Sequence, residues 1–144
     1  MNNWLRRNGW RNHVTGTSRV SVIARQESRT IIGYATLSAA QIERAHLSKA
    51  DQRNRPDPVP MALLGQLAVD LRFQRQGHAA SLMLHALRTV VRFSREIGCF
   101  GVMTHPLDEN VRLFYQGFGF IDLPEDPRRS MIVRVKELEF NDFG

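Results

Sequence analysis

The chain has 144 residues, about the length of one domain, and with 42% hydrophobic and 24% charged residues it has the composition of a globular protein with its own core. Twenty Lys+Arg against 14 Asp+Glu give a formal charge of +6, so part of the surface attracts anions: nucleic acid, a phosphorylated cofactor or an anionic membrane surface. No stretch approaches the roughly 18 apolar residues of a spanning helix, the opening Met1-Asn2-Asn3-Trp4-Leu5-Arg6-Arg7 lacks a secretory apolar block, and one cysteine makes no internal disulfide, so the cytoplasm is the expected compartment.

In chain order, Asn3 to Gly9 reads as the tail of a helix ended by glycine. Thr17 to Arg25 alternates Val20, Val22 and Ala24 with polar residues, as a half-buried strand does. The polar Gln26-Glu27-Ser28-Arg29 then leads into a second strand, Thr30 to Ala39, so the pair predicts an antiparallel hairpin. Gln41 to Arg55 is basic with weak helical periodicity, and Pro56-Asp57-Pro58-Val59-Pro60 forces an extended approach to the next segment. That segment, Met61 to Val69, is nearly continuously apolar and predicts a central strand covered on both faces. From Gly77, Ala80, Met83, Leu84, Leu87, Val90 and Val91 recur at helical steps, with Arg88, Arg92 and Arg95 on other faces and Gly98 as the stop. Cys99 to Thr104 is a short buried strand, and Asp108 to Gln116 a helix with acidic residues in its first turn. Phe118 to Ile121 and Met131 to Val135 supply two last strands. No period of about 20 to 50 residues recurs, so the expectation is a single α+β domain over residues 1–144, a mixed central sheet flanked by helices.

Two stretches can carry chemistry. In Gln74-Arg75-Gln76-Gly77-His78-Ala79, small residues stand where a strand and loop open into a helix, which leaves backbone amides approachable at the positive end of a helix dipole. It is neither a Walker loop nor a dinucleotide fingerprint, and an ordinary tight turn has the same composition. In Phe114-Tyr115-Gln116-Gly117-Phe118-Gly119-Phe120 a helix stops at glycine and turns into a strand, placing Tyr115 at the helix end. A phenol, protonated at neutral pH, is either a proton donor or a core tyrosine whose hydroxyl is satisfied. Asp70 reads as a turn former and Glu109 as serving a helix N-terminus, so no convincing base is evident. His78 and His85 share a helix without partners at metal-ligand spacing, so no metal site is expected. Cys99 reads as core.

Together and in this order, the stretches resemble the GNAT superfamily of acetyl-CoA-dependent N-acetyltransferases. The resemblance implies the acyl-CoA N-acyltransferase fold, with the turn at Gln74, Arg75, Gln76, Gly77, His78 and Ala79 wrapping the pyrophosphate of the coenzyme. It further implies that Leu67, Ala68 and Val69 offer strand backbone to the pantetheine arm, and that Tyr115 is the general acid to the coenzyme thiolate. Arg53-x-x-Pro56-Asp57-Pro58-x-Pro60, then Leu64-Gly65-x-Leu67-Ala68-Val69-Asp70, then His105 ahead of Tyr115, is similar to the branch of these enzymes that serve as toxins of type II toxin–antitoxin pairs. That likeness, over roughly Trp4 to Leu138, implies acetylation of the α-amino group of aminoacyl-tRNA, a block of translation, a homodimer, and a ribbon-helix-helix antitoxin that masks the active site.

The chain departs from that pattern in two places. Family members open with a strand and a complete helix, whereas only about sixteen residues precede Thr17, so the first strand is expected to be missing. Arg75 and Ala79 also stand where relatives commonly carry glycine. Acetylation of a small amine or protein, and a truncated non-catalytic domain that binds coenzyme A or RNA, remain as alternatives. An α-amine, with a pKa of about 8, needs little help from a base, and water suffices in this reading. The charge resides in 18 arginines and two lysines, reflecting either selection for phosphate or codon bias. Arg6, Arg7, Arg11, Arg44, Arg53, Arg55, Arg72, Arg75, Arg88, Arg92 and Arg95 are the candidates for RNA phosphate contacts.

Overall fold

The structure, a computed structural model, describes residues 5–25, 27 and 30–141. Its strands are β1 (Arg19–Ala24), β2 (Ile31–Ile42), β3 (Val59–Val69), β4 (Gly101–Thr104), β5 (Ile121–Asp122) and β6 (Met131–Arg134). They form one sheet in the order β1-β2-β3-β4-β6-β5. Pairing is antiparallel for β1–β2, β4–β6 and β5–β6, and parallel for β3–β4, so the expected mixed sheet is present. The helices are α1 (Trp10–Thr15), α2 (Lys49–Gln52), α3 (His78–Ser94), α4 (Glu109–Gln116) and α5 (Val135–Phe140). Helix α3 is the crossover that a parallel β3–β4 pair requires. None of the helices among the described residues is long and apolar enough to cross a membrane. The chain divides into two compact units, Met1–Ser38 with Leu64–Thr89 and Ala39–Leu63 with Val90–Gly144.

In the first unit, the chain does not leave its helix at Gly9. A π-helical turn, Leu5–Gly9, runs straight into α1, and the stop is Gly16, at φ 80°, whose N–H bonds back to His13. The hairpin forms as expected, closed by Arg25 N–H to the Thr30 carbonyl at 3.0 Å, and most of its turn lies outside the described residues. The expected burial of Val20, Val22 and Ala24 fails, since Val22 is half exposed and Ala24 exposed. β1 is an edge strand with a register shift at Ile23/Ala24, which breaks the strict alternation. β2, by contrast, buries Ile32 through Thr36 without a gap, the mark of a strand covered on both faces. Leu82, Met83, Ala86 and Leu87 of α3 are buried in this unit.

In the second unit, the basic run after Gln41 is not one helix. β2 continues to Ile42, a 3₁₀ turn occupies Arg44–His46, and α2 is only four residues long, capped by Ser48, whose hydroxyl accepts the Asp51 N–H at 3.3 Å. Ile42, Leu47, Val59, Met61, Met103, Leu123 and Ile132 form the buried cluster here. Helix α3 ends at Ser94 rather than Gly98, with turn bonds carrying the chain past Ile97, and Arg88, Arg92 and Arg95 are exposed as expected. β4 starts at Gly101, two residues later than expected. Cys99 is half-buried, its thiol donating to the Gly101 carbonyl and pushed up in pKa by burial, as suits a core thiol. Phe118 to Phe120 is a turn, not a strand, because Gly119 takes φ 95°, and β5 begins only at Ile121. α5 has no counterpart among the expected elements; Leu138 on it is almost wholly buried, and Val135 N–H bonds the Phe100 carbonyl at 2.9 Å.

Candidate active site

The turn after β3 is built in layers. Leu67, Ala68 and Val69 are half-buried at the strand end, and Asp70 N–H bonds the Ile32 carbonyl at 2.7 Å. Asp70 is a turn former, as expected: its carboxylate caps the 3₁₀ turn Leu71–Phe73 by accepting Arg72 N–H at 3.0 Å. It also takes Arg72 Nε at 3.1 Å, and this side chain, with the Arg72 amide, holds the Asp70 carboxyl below its ordinary value. Phe73 is buried, with the Arg25 guanidinium 4.8 Å and that of Arg72 5.4 Å from its ring centre. Gln74 returns its side-chain amide to the Val69 carbonyl at 3.2 Å, which ties the turn to the strand.

From this anchored base the chain passes through two left-handed residues, Arg75 at φ 63° and Gly77 at φ 84°. Gln74 to Gly77 are exposed, and nothing lies within 4 Å of where a Gly77 Cβ would stand. Their amides donate to no backbone carbonyl among the described residues. The first i→i−4 bond of α3 runs from Ser81 to the Gly77 carbonyl, so the N–H groups of His78, Ala79 and Ala80 have no intrahelical acceptor. Ala79 sits in the first helical turn, where glycine is not required. The result is a set of amides without intrahelical acceptors at the start of a 17-residue helix, at the positive end of its dipole.

In the second unit, α4 begins at Asp108, whose carboxylate accepts the Val111 N–H at 2.9 Å, and Glu109 lies in its first turn as expected. Arg112 fastens the helix to β5 through a two-pronged contact with Asp122 at 2.7 and 3.0 Å. Tyr115, at the other end, is 6% exposed and packs against Phe114 and Phe120. Burial raises its pKa, while a side-chain hydrogen bond with Thr104 works against the rise. The hydroxyl is therefore protonated at neutral pH.

One constellation that the sequence did not disclose stands beside Thr104. His105 Nδ1 lies 3.0 Å from the hydroxyl of Ser130, which is 1% exposed, and the buried Asp126 stands four residues before that serine. These residues are 25 and 21 positions away from His105 along the chain, so no local spacing announces them.

Among the expected RNA-contacting arginines, several have structural work. Arg44 donates to the Arg55 carbonyl, Arg55 lies 4.2 Å over the Phe100 ring, and Arg72 pairs with Asp70. Arg75, Arg88, Arg92 and Arg95 are exposed, and the side chains of Arg6 and Arg7 lie outside the described residues.

A family model described as the acetyltransferase (GNAT) family matches residues 2–120. The chain is 33% identical to a tRNA-acetylating toxin of Mycobacterium tuberculosis over 133 residues, 92% of this chain and 79% of that one. It is similar in structure to AtaT complexed with acetyl-methionyl-tRNAfMet, with TM-score 0.90 and 32% identity, over 97% of this chain and 84% of that one. It also matches a tyrosine-to-phenylalanine variant of AtaT bound to the C-terminus of the antitoxin AtaR and acetyl-CoA, with TM-score 0.83 and 28% identity, over 97% and 82% of the two chains.

Proposed function

Since the chain belongs to the acetyltransferase (GNAT) family, we propose that it is the toxin of a toxin–antitoxin pair, using acetyl-CoA to acetylate the α-amino group of aminoacyl-tRNA and so blocking translation. The observation that carries the coenzyme half of this reading is the exposed turn at Gln74 to Gly77, with open space about Gly77 and N–H groups at the start of α3 that have no intrahelical acceptor. In this reading Gln74, Arg75, Gln76, Gly77, His78 and Ala79 hold the diphosphate, and Leu67, Ala68 and Val69 give backbone to the pantetheine arm. The parallel ladder of β3 with β4 has two residue pairs, ending at Leu63–Met103, and β3 continues through Val69.

Acetyl transfer needs a neutral amine, an oriented thioester and a donor for the departing thiolate. The phenol of Tyr115 meets the last need, because burial keeps it protonated throughout the range in which the thioester is attacked. The acceptor half is supported by the relatives: one is named a tRNA-acetylating toxin, and another was solved with an acetylated methionyl-tRNA. A formal charge of +6 suits an RNA acceptor. The antitoxin complex of AtaT supports a similar partner here, which we take to be of the ribbon-helix-helix class. We take residues 1–144 to act as one acetyltransferase domain, working in the cytoplasm as a homodimer.

Incubation with labelled acetyl-CoA and either charged tRNA or a panel of free amines tests the proposal. Label on charged tRNA is the expected result. Label on free amines alone overturns the acceptor, and retained coenzyme binding without label on anything overturns the enzyme.

A further inference from the structure

We propose that the side chain of Gln74 is a positioning residue for the pantetheine arm of the coenzyme: in the free chain it holds the Val69 carbonyl in the place of an amide of the arm, and it gives up that place when the arm adds to β3. The inference rests on the acetyl-CoA reading above.

The direction of the Val69 carbonyl follows from its neighbours. Asp70 N–H reaches the Ile32 carbonyl of β2 at 2.7 Å. The Ala68 carbonyl also faces β2, so closely that a Cβ on Gly33 would stand 2.8 Å from its oxygen. In a trans peptide unit the N–H and the C=O point in opposite directions. The first contact therefore turns the Val69 carbonyl away from β2, and the second turns the Val69 N–H the same way. The β3–β4 ladder ends at Leu63–Met103, so this outward side of Val69 has no ladder partner among the described residues.

What meets the carbonyl instead is the Gln74 carboxamide, whose Nε2 donates to it at 3.2 Å. A carbonyl only accepts, so the NH2 end of the side chain must face it. Among the described residues the carboxamide has no other partner, and Gln74 is exposed, so little else holds this side chain in place. Its N–H is the same kind of donor that an amide of the pantetheine arm offers. An extended chain laid on a strand edge takes the outward backbone groups by main-chain hydrogen bonds, and the half-buried Val69 carbonyl is such a group.

The exchange is one hydrogen bond for another. The bond from Gln74 Nε2 to the Val69 carbonyl breaks, a bond from the arm replaces it, and water takes up the freed carboxamide. The Gln74 bond thus stabilises the free chain and not the complex. It subtracts from the affinity of any ligand that carries the arm and leaves a ligand that ends at the diphosphate untouched. The side chain and the main chain of Gln74 then serve different parts of the coenzyme, because the main chain leads into the turn of left-handed Arg75 and Gly77 that we assign to the diphosphate.

The test titrates wild type, Gln74→Ala and Gln74→Met with acetyl-CoA and with adenosine 3′-phosphate 5′-diphosphate, which has the diphosphate and no arm. Methionine keeps the length of the side chain without its donor. The ratio of the two affinities cancels any change in the turn that both ligands feel. In both variants the preference for acetyl-CoA over the armless ligand should rise about 2- to 10-fold, the worth of one neutral hydrogen bond. A preference that stays or falls, or that rises in Gln74→Ala alone, overturns the inference while leaving the functional reading intact. A wild-type chain that binds neither ligand overturns the reading itself. NMR of the labelled wild type, which needs no turnover, should show the Gln74 side-chain NH2 shift and exchange faster with water on adding acetyl-CoA, and do neither with the armless ligand. A Gln74 signal that acetyl-CoA leaves unmoved sinks the idea.

Discussion

The side chain of Thr104, the last residue of β4, holds a hydrogen bond with the hydroxyl of Tyr115 on α4, and that bond restrains the rise in phenol pKa that burial imposes. An acid catalyst works best when its pKa is not far above the operating pH, so in the proposed role Thr104 favours proton donation by Tyr115. Replacing Tyr115 by Phe removes the proton while keeping the ring between Phe114 and Phe120. Turnover should fall by roughly 10²- to 10⁴-fold with acetyl-CoA affinity unchanged and stability altered by only about 0.5–1.5 kcal/mol. Thr104→Val raises the phenol further and should slow turnover by under about tenfold. Thiol release under saturating coenzyme separates these outcomes, and an unchanged rate in Tyr115→Phe removes the assignment.

The left-handed turn makes a second, opposite pair of predictions. An L-residue in this region costs about 1–2 kcal/mol, while glycine surrenders about 0.5–1 kcal/mol of chain entropy. Arg75→Gly, at φ 63°, should therefore raise stability slightly. If Arg75 grips phosphate, the same change weakens coenzyme binding, so stability and affinity move in opposite directions. Gly77→Ala meets no steric obstacle, since nothing lies within 4 Å of the new Cβ, and its cost at φ 84° is conformational alone. That variant should lose about 1–2 kcal/mol and bind acetyl-CoA more weakly as the amides turn. Urea midpoints at constant m, with calorimetric titration of coenzyme, check both.

These contrasts show what a linear reading captures. The turn is legible because its parts are consecutive: a strand, a glycine and a helix start occupy one short stretch. Tyr115 is legible as a residue but not in its state, because Thr104 is eleven positions away. The His105–Ser130 contact is hidden since β6 pairs antiparallel with β4, and sheet register, which no local period encodes, brings the residue before β6 to the residue after β4. Helical periodicity after Gln41 misleads because Ser48, Asp51 and the prolines break that stretch into short turns. α5 goes undetected because six residues carry too little periodicity to register.

Arg134, at the end of β6, donates to the buried carboxylate of Asp51 at 3.0 Å and also pairs with Glu137. α2, on which Asp51 lies, has four residues and cannot hold its own conformation. The pair, together with Arg55 Nε on the Asp51 carbonyl at 2.7 Å, therefore fixes this segment in the second unit. Asp51→Ala leaves Arg134 with Glu137 and should cost about 2–3 kcal/mol, below the range for a fully buried pair because the arginine is partly exposed. Arg134→Met strands a buried carboxylate and should cost at least as much. Denaturation of both variants and of the double mutant measures the coupling, and strictly additive costs would show the contact to be idle.

Asp126 and His105 both contribute to how stability falls in acid. Asp126 has a folded pKa below its unfolded value of about 3.9, despite burial, because Ser130 and the Arg128 amide bond its charged form. Its contribution is full above that unfolded value and is lost as pH falls through the folded one. His105 is likewise depressed, through burial and Arg128, so the unfolded chain takes up a proton first, near pH 6.5, and stability declines from there until the folded imidazole also titrates. The wild type should therefore weaken in two acid steps. His105→Gln should remove the upper step and spare the lower, whereas Asp126→Asn should shrink the lower one, which Asp70 and Asp122 share. Asp126→Ala leaves the Ser130 and Arg128 donors unmatched, at about 1–3 kcal/mol even at neutral pH. Urea midpoints at half-unit intervals from pH 3 to 8 resolve the two limbs, and a single step that both substitutions leave in place would mean that neither group is linked to folding.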